Sequence, residues 1–186
     1  GEFYDQKGLV KNLSQDMSGN SSSPSYRRYA FRANMDLFLT KDLTFSVNFG
    51  TRFEERRGSN TNESNNYSET FYELNHTPGW LFPVSYEVQN GESTRTLYGG
   101  SSQYQNNIVG RLAQGGYYRA TNTINETNFI VDYKLGWLTE GLSAKGMVSF
   151  DYDSYYKRLF SADFATYELN DRDNYTQIDA YNRFNT

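Results

Sequence analysis

The chain has no cysteine, one histidine, two tryptophans and three prolines among its 186 residues, and no long uninterrupted apolar run. Each shortage removes a class of protein. Without cysteine there is no disulfide framework, no thiolate metal site and no thiol nucleophile. The single histidine, His76, stands beside Thr77 and Pro78 in a turn-like setting, so histidine-based metal or nucleophile constellations lack their parts. No enzyme activity is expected. The formal charge of -4 offers no basic footprint, so no nucleic-acid partner is expected either. No stretch approaches the roughly 20 apolar residues of a membrane helix, and no secretory leader opens the chain. The missing leader leads us to expect a native start further upstream.

What the chain does have is aromatic side chains, 17 Tyr and 13 Phe, and a sustained alternation of apolar with polar residues, to which Ala30, Phe38, Gly50 and Met147 are exceptions. Strand side chains point alternately to the two faces of a sheet, so parity assigns faces. In "FRANMDLFLTKDLTFSVNFGTRF" the odd positions are apolar: Phe31, Ala33, Met35, Leu37 and Leu39, then Leu43, Phe45, Val47, Phe49 and Phe53. The even positions carry Arg28, Arg32, Asp36, Asn48 and Arg52. A helical period would scatter these apolar residues all round a helix. We therefore read a hairpin of Tyr26 to Thr40 and Leu43 to Glu55, turned at Lys41 and Asp42. The pattern recurs. Phe129, Val131, Tyr133 and Leu135 oppose Asn128, Asp132 and Lys134; beyond the turn "GWLTEG", Leu142, Ala144, Val148, Phe150 and Tyr152 oppose Lys145, Ser149, Asp151 and Asp153.

Length decides which solvent the apolar face meets. Ordinary strands run about 5 or 6 residues, whereas a membrane-crossing strand needs about 9 to 11. Short turns at one end and a long polar connection at the other are the asymmetry of outer-membrane barrels, whose low mean hydropathy, here -0.81, reflects a polar lumen face. The fold class expected is all-β: an antiparallel transmembrane β-barrel segment of four to six long strands. Phe31, Leu37, Phe45, Val47, Phe49, Val131, Val148 and Phe150 are expected to face lipid, and Arg28, Arg32, Asp36, Arg52, Asp132 and Lys145 the lumen. Tyr26, Tyr29, Phe53, Trp137, Tyr152, Tyr155 and Tyr156 would sit at the interfaces.

The organisation that follows has five parts: 1–25, a strand end and external loop; 26–57, the first hairpin; 58–121, a long external connection; 122–156, the second hairpin; and 157–186, a loop leading to a further strand. Within the long connection, "FYELNHTPGWLFPVSYEVQNGE" holds enough apolar residues to fold as a lid; Trp80, Leu81 and Phe82 are either its small core or, in the case of Trp80, part of an exposed binding surface. Trp80, Tyr86, Tyr98, Tyr104, Tyr117 and Tyr118 are the exposed aromatic platforms expected to touch cargo or a lid protein. Glu54 and Glu55 point to opposite faces and cannot cooperate as a catalytic pair. Asp151 and Asp153 share a face with the means to hold a cation alongside Asp171 or Asp173, but the spacing lacks the Gly and terminal Glu of a calcium loop, so they read as lumen-wall acids and no cofactor is expected.

"GEFYDQKGLVKN", "YRRYAFRANMDLFLTKDLTFSVNFGTRFEER", "ELNHTPGW" and "LTEGLSAKGMVSFD" together resemble the early barrel strands of SusC/RagA-type TonB-dependent transporters. The resemblance implies import of a bulky nutrient, an oligosaccharide or a peptide, across a bacterial outer membrane. It also implies a SusD-like surface lipoprotein as lid, and a TonB complex engaged through an N-terminal part outside this sequence. Four to six strands cannot close a barrel in lipid without leaving backbone groups unsatisfied, so the chain is expected to be a fragment or to complete a barrel with other chains. Two alternatives are weighed against this. One is a soluble cell-surface β-sandwich whose apolar faces pack together. The other is a small stand-alone barrel, which needs a cryptic strand pair within Tyr98 to Tyr118.

Overall fold

A computed structural model describes residues 1–9, 11, 13, 23–60, 67–77, 79–90, 93–171 and 174–178. It is built of β-structure with two short helices: β1 (Glu2–Lys7), β2 (Ser25–Phe38), β3 (Leu43–Ser59), α1 (Tyr67–His76), β4 (Ser85–Asn90), β5 (Ser93–Gly99), α2 (Ile108–Gln114), β6 (Gly116–Lys134), β7 (Ser143–Ser161), β8 (Thr166–Asp171) and β9 (Asn174–Ile178). The all-β class holds. Two compact units divide the chain: Gly1–Gln6, Tyr26–Arg56 and Ala120–Lys157 form the first, and Lys7–Ser25, Arg57–Arg119 and Arg158–Thr186 the second.

The first unit belongs to a five-stranded sheet ordered β1-β2-β3-β6-β7. Its four long strands run 14, 17, 19 and 19 residues, well beyond the ordinary strand. Two tight turns make the hairpins. In the first, Thr40 Oγ1 accepts the backbone N–H groups of Asp42 and Leu43, at 3.2 and 3.0 Å, tying the turn to its own side chain. In the second, Leu135 N–H donates to the Leu142 carbonyl at 2.8 Å, and Gly141 takes the left-handed conformation (φ 81°) that an L side chain resists. Ring contacts fix the apolar face in register across the strands: Phe3 with Tyr29, Tyr29 with Phe53, Phe31 with Phe49, and Phe45 stacked on Phe129. The sheet has free edges at β1 and β7 and does not close on itself among the described residues.

The second unit has a sheet of its own, ordered β4-β5-β8-β9, formed largely within segments expected as external loops. β4 and β5 are an antiparallel hairpin from Ser85↔Tyr98 to Asn90↔Ser93. β5 then pairs in parallel with β8 (Tyr98↔Thr166, Gly99↔Tyr167), the one parallel ladder among the described pairs, and β8 turns back to β9 with a bulge at Leu169/Asp171. The span Tyr98 to Tyr118 contains α2 and no strand pair. The cryptic hairpin needed by a small stand-alone barrel is therefore not formed there.

A core exists in this second unit. Phe82, Leu97, Tyr98, Ile108, Leu112 and Phe164 are all buried. The closeness of α2 to β5 is legible at Gly110, where an added Cβ would lie 2.9 Å from the side chains of both Tyr98 and Phe164. Asn107 joins the pieces. Its Oδ1 caps α2 by accepting Gly110 N–H at 3.0 Å, while its Nδ2 donates to the Val84 and Gly99 carbonyls, each at 2.8 Å.

Gly116 opens β6 with φ at 103°, and an added Cβ would fall 2.1 Å from the Phe160 carbonyl oxygen. Both the conformation and the space exclude a side chain. Gly116→Ala is expected to destabilise the chain by about 2 kcal/mol or more, read as a lowered denaturant midpoint; an unchanged midpoint would contradict this account of the strand start.

Candidate functional site

The larger sheet separates its residues by chemistry. On one face Phe31, Met35, Phe49, Val131, Val148 and Phe150 are exposed, the last two at 68% and 63%. Among the described residues of the first unit the only buried hydrophobic residue is Ala120. Leu37 is exposed on the same face, and Phe45 and Val47 are half-buried among their strand neighbours. A sheet in water buries such a face.

The opposite face is polar and carries a hollow of about 440 Å³ lined by Gly1, Glu2, Arg28, Ala30, Arg32, Gly50, Thr51, Arg52, Ile124 and Glu126. Three of the arginines expected on this face, Arg28, Arg32 and Arg52, meet here. Arg28 gives one Nη2 hydrogen bond to the Glu2 carboxylate, while its enclosed Nε has no partner. Arg52 Nε lies 3.3 Å from Glu54, which also accepts the Tyr26 hydroxyl at 3.0 Å. Tyr26 therefore belongs to the polar face, with Arg56 over its ring at 5.5 Å, and not to an interfacial girdle. Asp36, Asp132 and Lys145 occupy the polar positions of their strands but lie outside the hollow. Glu2 and Glu126 were not among the expected site residues: only the pairing of β1 with β2 brings Glu2 in, and parity alone could have flagged Glu126.

The aromatic candidates of the loop segments part company. Tyr98 is 5% exposed and Tyr118 is 4% exposed, so neither is a platform for a ligand. Tyr98 faces α2, and its ring is used up in the core. Tyr104 is half-buried against Phe82, with its hydroxyl 3.4 Å from Thr77 Oγ1. Tyr86 is half-buried edge-on to Tyr175. Trp80 is 86% exposed, which removes it from the small core in which Phe82 is buried and leaves it as an exposed aromatic. His76 closes α1 by stacking on Tyr72 and bonding through Nδ1 to the Tyr72 carbonyl at 2.7 Å. No group of acidic or histidine side chains able to hold a metal is found among the described residues, and Asp173 lies outside them.

No protein-family model and no curated protein matches this chain. The functional reading therefore rests on the two faces of the large sheet and on the loop unit. In that unit α1 and α2 are bound by an ion pair, Arg111 Nη1 to Glu73 Oε1 at 2.8 Å, with both side chains about nine-tenths covered; Asn106 Nδ2 adds a bond to Glu73 Oε2 at 2.8 Å. Removing one partner leaves the other charge enclosed.

Glu73→Gln is accordingly expected to destabilise the loop unit by about 2 to 4 kcal/mol, and the double variant with Arg111→Met to recover part of that loss; strict additivity would show that the pair is not coupled. A second expectation concerns pH. Burial pushes the Tyr98 phenol above its ordinary value of 10.0, and burial also raises Tyr86 against a smaller opposing bond from Leu169. The folded state holds the Tyr98 proton more tightly than the unfolded chain. Its contribution is therefore complete below the unfolded value of about 10 and is lost as pH climbs through the raised folded value. Tyr98→Phe should flatten the alkaline fall of the denaturant midpoint, and an unchanged slope would rule the assignment out.

Proposed function

We propose that the chain is part of the wall of a TonB-dependent outer-membrane transporter that imports a bulky nutrient, an oligosaccharide or a peptide, beneath a SusD-like lipoprotein. The observation that carries this reading is the bare apolar face: four long strands present aromatic and branched side chains outward, with arginines and carboxylates on the reverse. In lipid that arrangement costs nothing. In water it would expose the residue types that soluble proteins bury. The resemblance of the strand sequences to SusC/RagA-type transporters supports the same reading and supplies its orientation. The turns at Thr40 and Gly141 would lie at the periplasmic end, and segments 58–121 and 157–186 would be the external connections, where a lid or cargo is met.

The open edges at β1 and β7 fit a sheet completed by further strands, since unpaired backbone groups in hydrocarbon cost several kcal/mol each. Energy for import would come from TonB, reached through a part outside this sequence. The wall itself performs no bond-making chemistry. Its work is to exclude lipid on one side and offer a wet, charged surface on the other.

The test is a lipid-borne photolabel applied to cells that make the native protein, with Val47 and Asp36 each replaced by a cysteine reporter. Labelling at position 47 and none at position 36 is expected, with Val47→Arg destabilising by about 2 to 4 kcal/mol if the site lies near the bilayer midplane. Recovery of the chain in the soluble fraction, unlabelled, would replace this reading by a β-sandwich.

A further inference from the structure

We propose that the hollow around Gly50 receives a carboxylate of the cargo, so that the transported oligomer is acidic. The inference deepens the transporter reading and rests on it. Three guanidinium groups, those of Arg28, Arg32 and Arg52, border the hollow against two carboxylates, Glu2 and Glu126. The charges are not all mutually satisfied. Arg28 is engaged by Glu2 and Arg52 by Glu54, whereas Arg32 makes no ion pair or hydrogen bond among the described residues. The enclosed Nε of Arg28 is a second donor left unused. A guanidinium offers a planar fork that matches a carboxylate in two parallel bonds. Glu2 on Arg28 already illustrates the kind of group the site accepts.

Gly50 is the independent sign. It lies inside a 17-residue strand, where a glycine weakens the ladder and has no side chain to pack. Its neighbours do not demand it. An added Cβ would meet nothing closer than 3.8 Å, at Glu126 Oε2, with Arg32 Cγ at 3.9 Å, and the backbone there is not left-handed. What the missing side chain leaves is open floor between Arg32 and Glu126. Close approach by a ligand is one of the reasons for which a strand interior carries glycine. A carboxylate on that floor would face the unpaired Arg32, with Glu126 across it moderating the affinity so that the cargo can leave.

The test uses the full native chain in detergent micelles and four probes: oligogalacturonate and its methyl ester, and oligoglutamate and oligoglutamine. At least one acid is expected to bind about tenfold or more tighter than its neutral partner, the ratio that one charge-assisted bond supplies. Arg32→Gln should remove that ratio, Arg32→Lys should keep part of it, and Glu126→Gln should tighten the acid. Gly50→Val, whose Cβ would meet nothing closer than 3.8 Å, should abolish acid binding while the strands remain folded by circular dichroism. Preference for galacturonate alone identifies an acidic oligosaccharide as the source of the carboxylate, and preference for glutamate alone an acidic peptide. Equal binding of acids and neutral partners, no binding of either acid, or a ratio indifferent to Arg32→Gln overturns the proposal even if Val47 is labelled by lipid. Absence of that label overturns the transporter reading first, which keeps the two failures apart.

Discussion

Period-two alternation sustained over four strands is the constraint on which the first unit depends. A strand cannot choose its faces residue by residue. Once Phe31 points one way, Arg32 must point the other, and the choice propagates through Phe49 and Phe129 by the ring contacts that tie β2 to β3 and β3 to β6. A slip of one residue would turn Arg28, Arg32 and Arg52 into the apolar layer at the same moment that it turned Val47 and Phe49 into the wet one. Register and solvent are therefore one decision. The hollow at Gly50 exists because the decision is made consistently on three neighbouring strands.

The second unit answers to a different rule. Its elements are short, and none of them could persist alone; Asn107, Glu73 and Arg111 hold them by polar bonds that are covered from water. All three connect a helix to something beyond itself, Asn107 to the carbonyls of Val84 just before β4 and Gly99 at the end of β5, and Glu73 and Arg111 to each other across α1 and α2. The apolar core under these bonds is small. Directional contacts therefore set the geometry, and the exposed Trp80 side chain is left at the surface.

How much of this was legible in the sequence differs between the units for that reason. The long strands follow from parity, and parity also assembles Arg28, Arg32 and Arg52 on one face without any structure. It does not find Glu2, because a six-residue strand such as β1 carries too little pattern to reveal its partner. Nor does local sequence say which aromatic residue a loop will bury. Trp80 sits in a turn and stays 86% exposed, while Tyr98 enters a strand that α2 covers. The contacts that decide between them join residues far apart in the chain. The β4-β5-β8-β9 sheet escaped the alternation test because its strands run only 5 to 7 residues.

The parallel ladder between β5 and β8 also governs time. Gly99 must wait for Tyr167, and the whole of β6 and β7 lies between them in the chain. Ladders of that kind close late, because the entropy of a long intervening segment is lost before any bond repays it. Pairing β6 with β7 shortens the effective gap, since a hairpin returns the chain toward its starting point. The β6–β7 hairpin thus acts as a folding tether for the β5–β8 ladder, and anything that delays the hairpin holds Thr166 away from its seat beside Gly100.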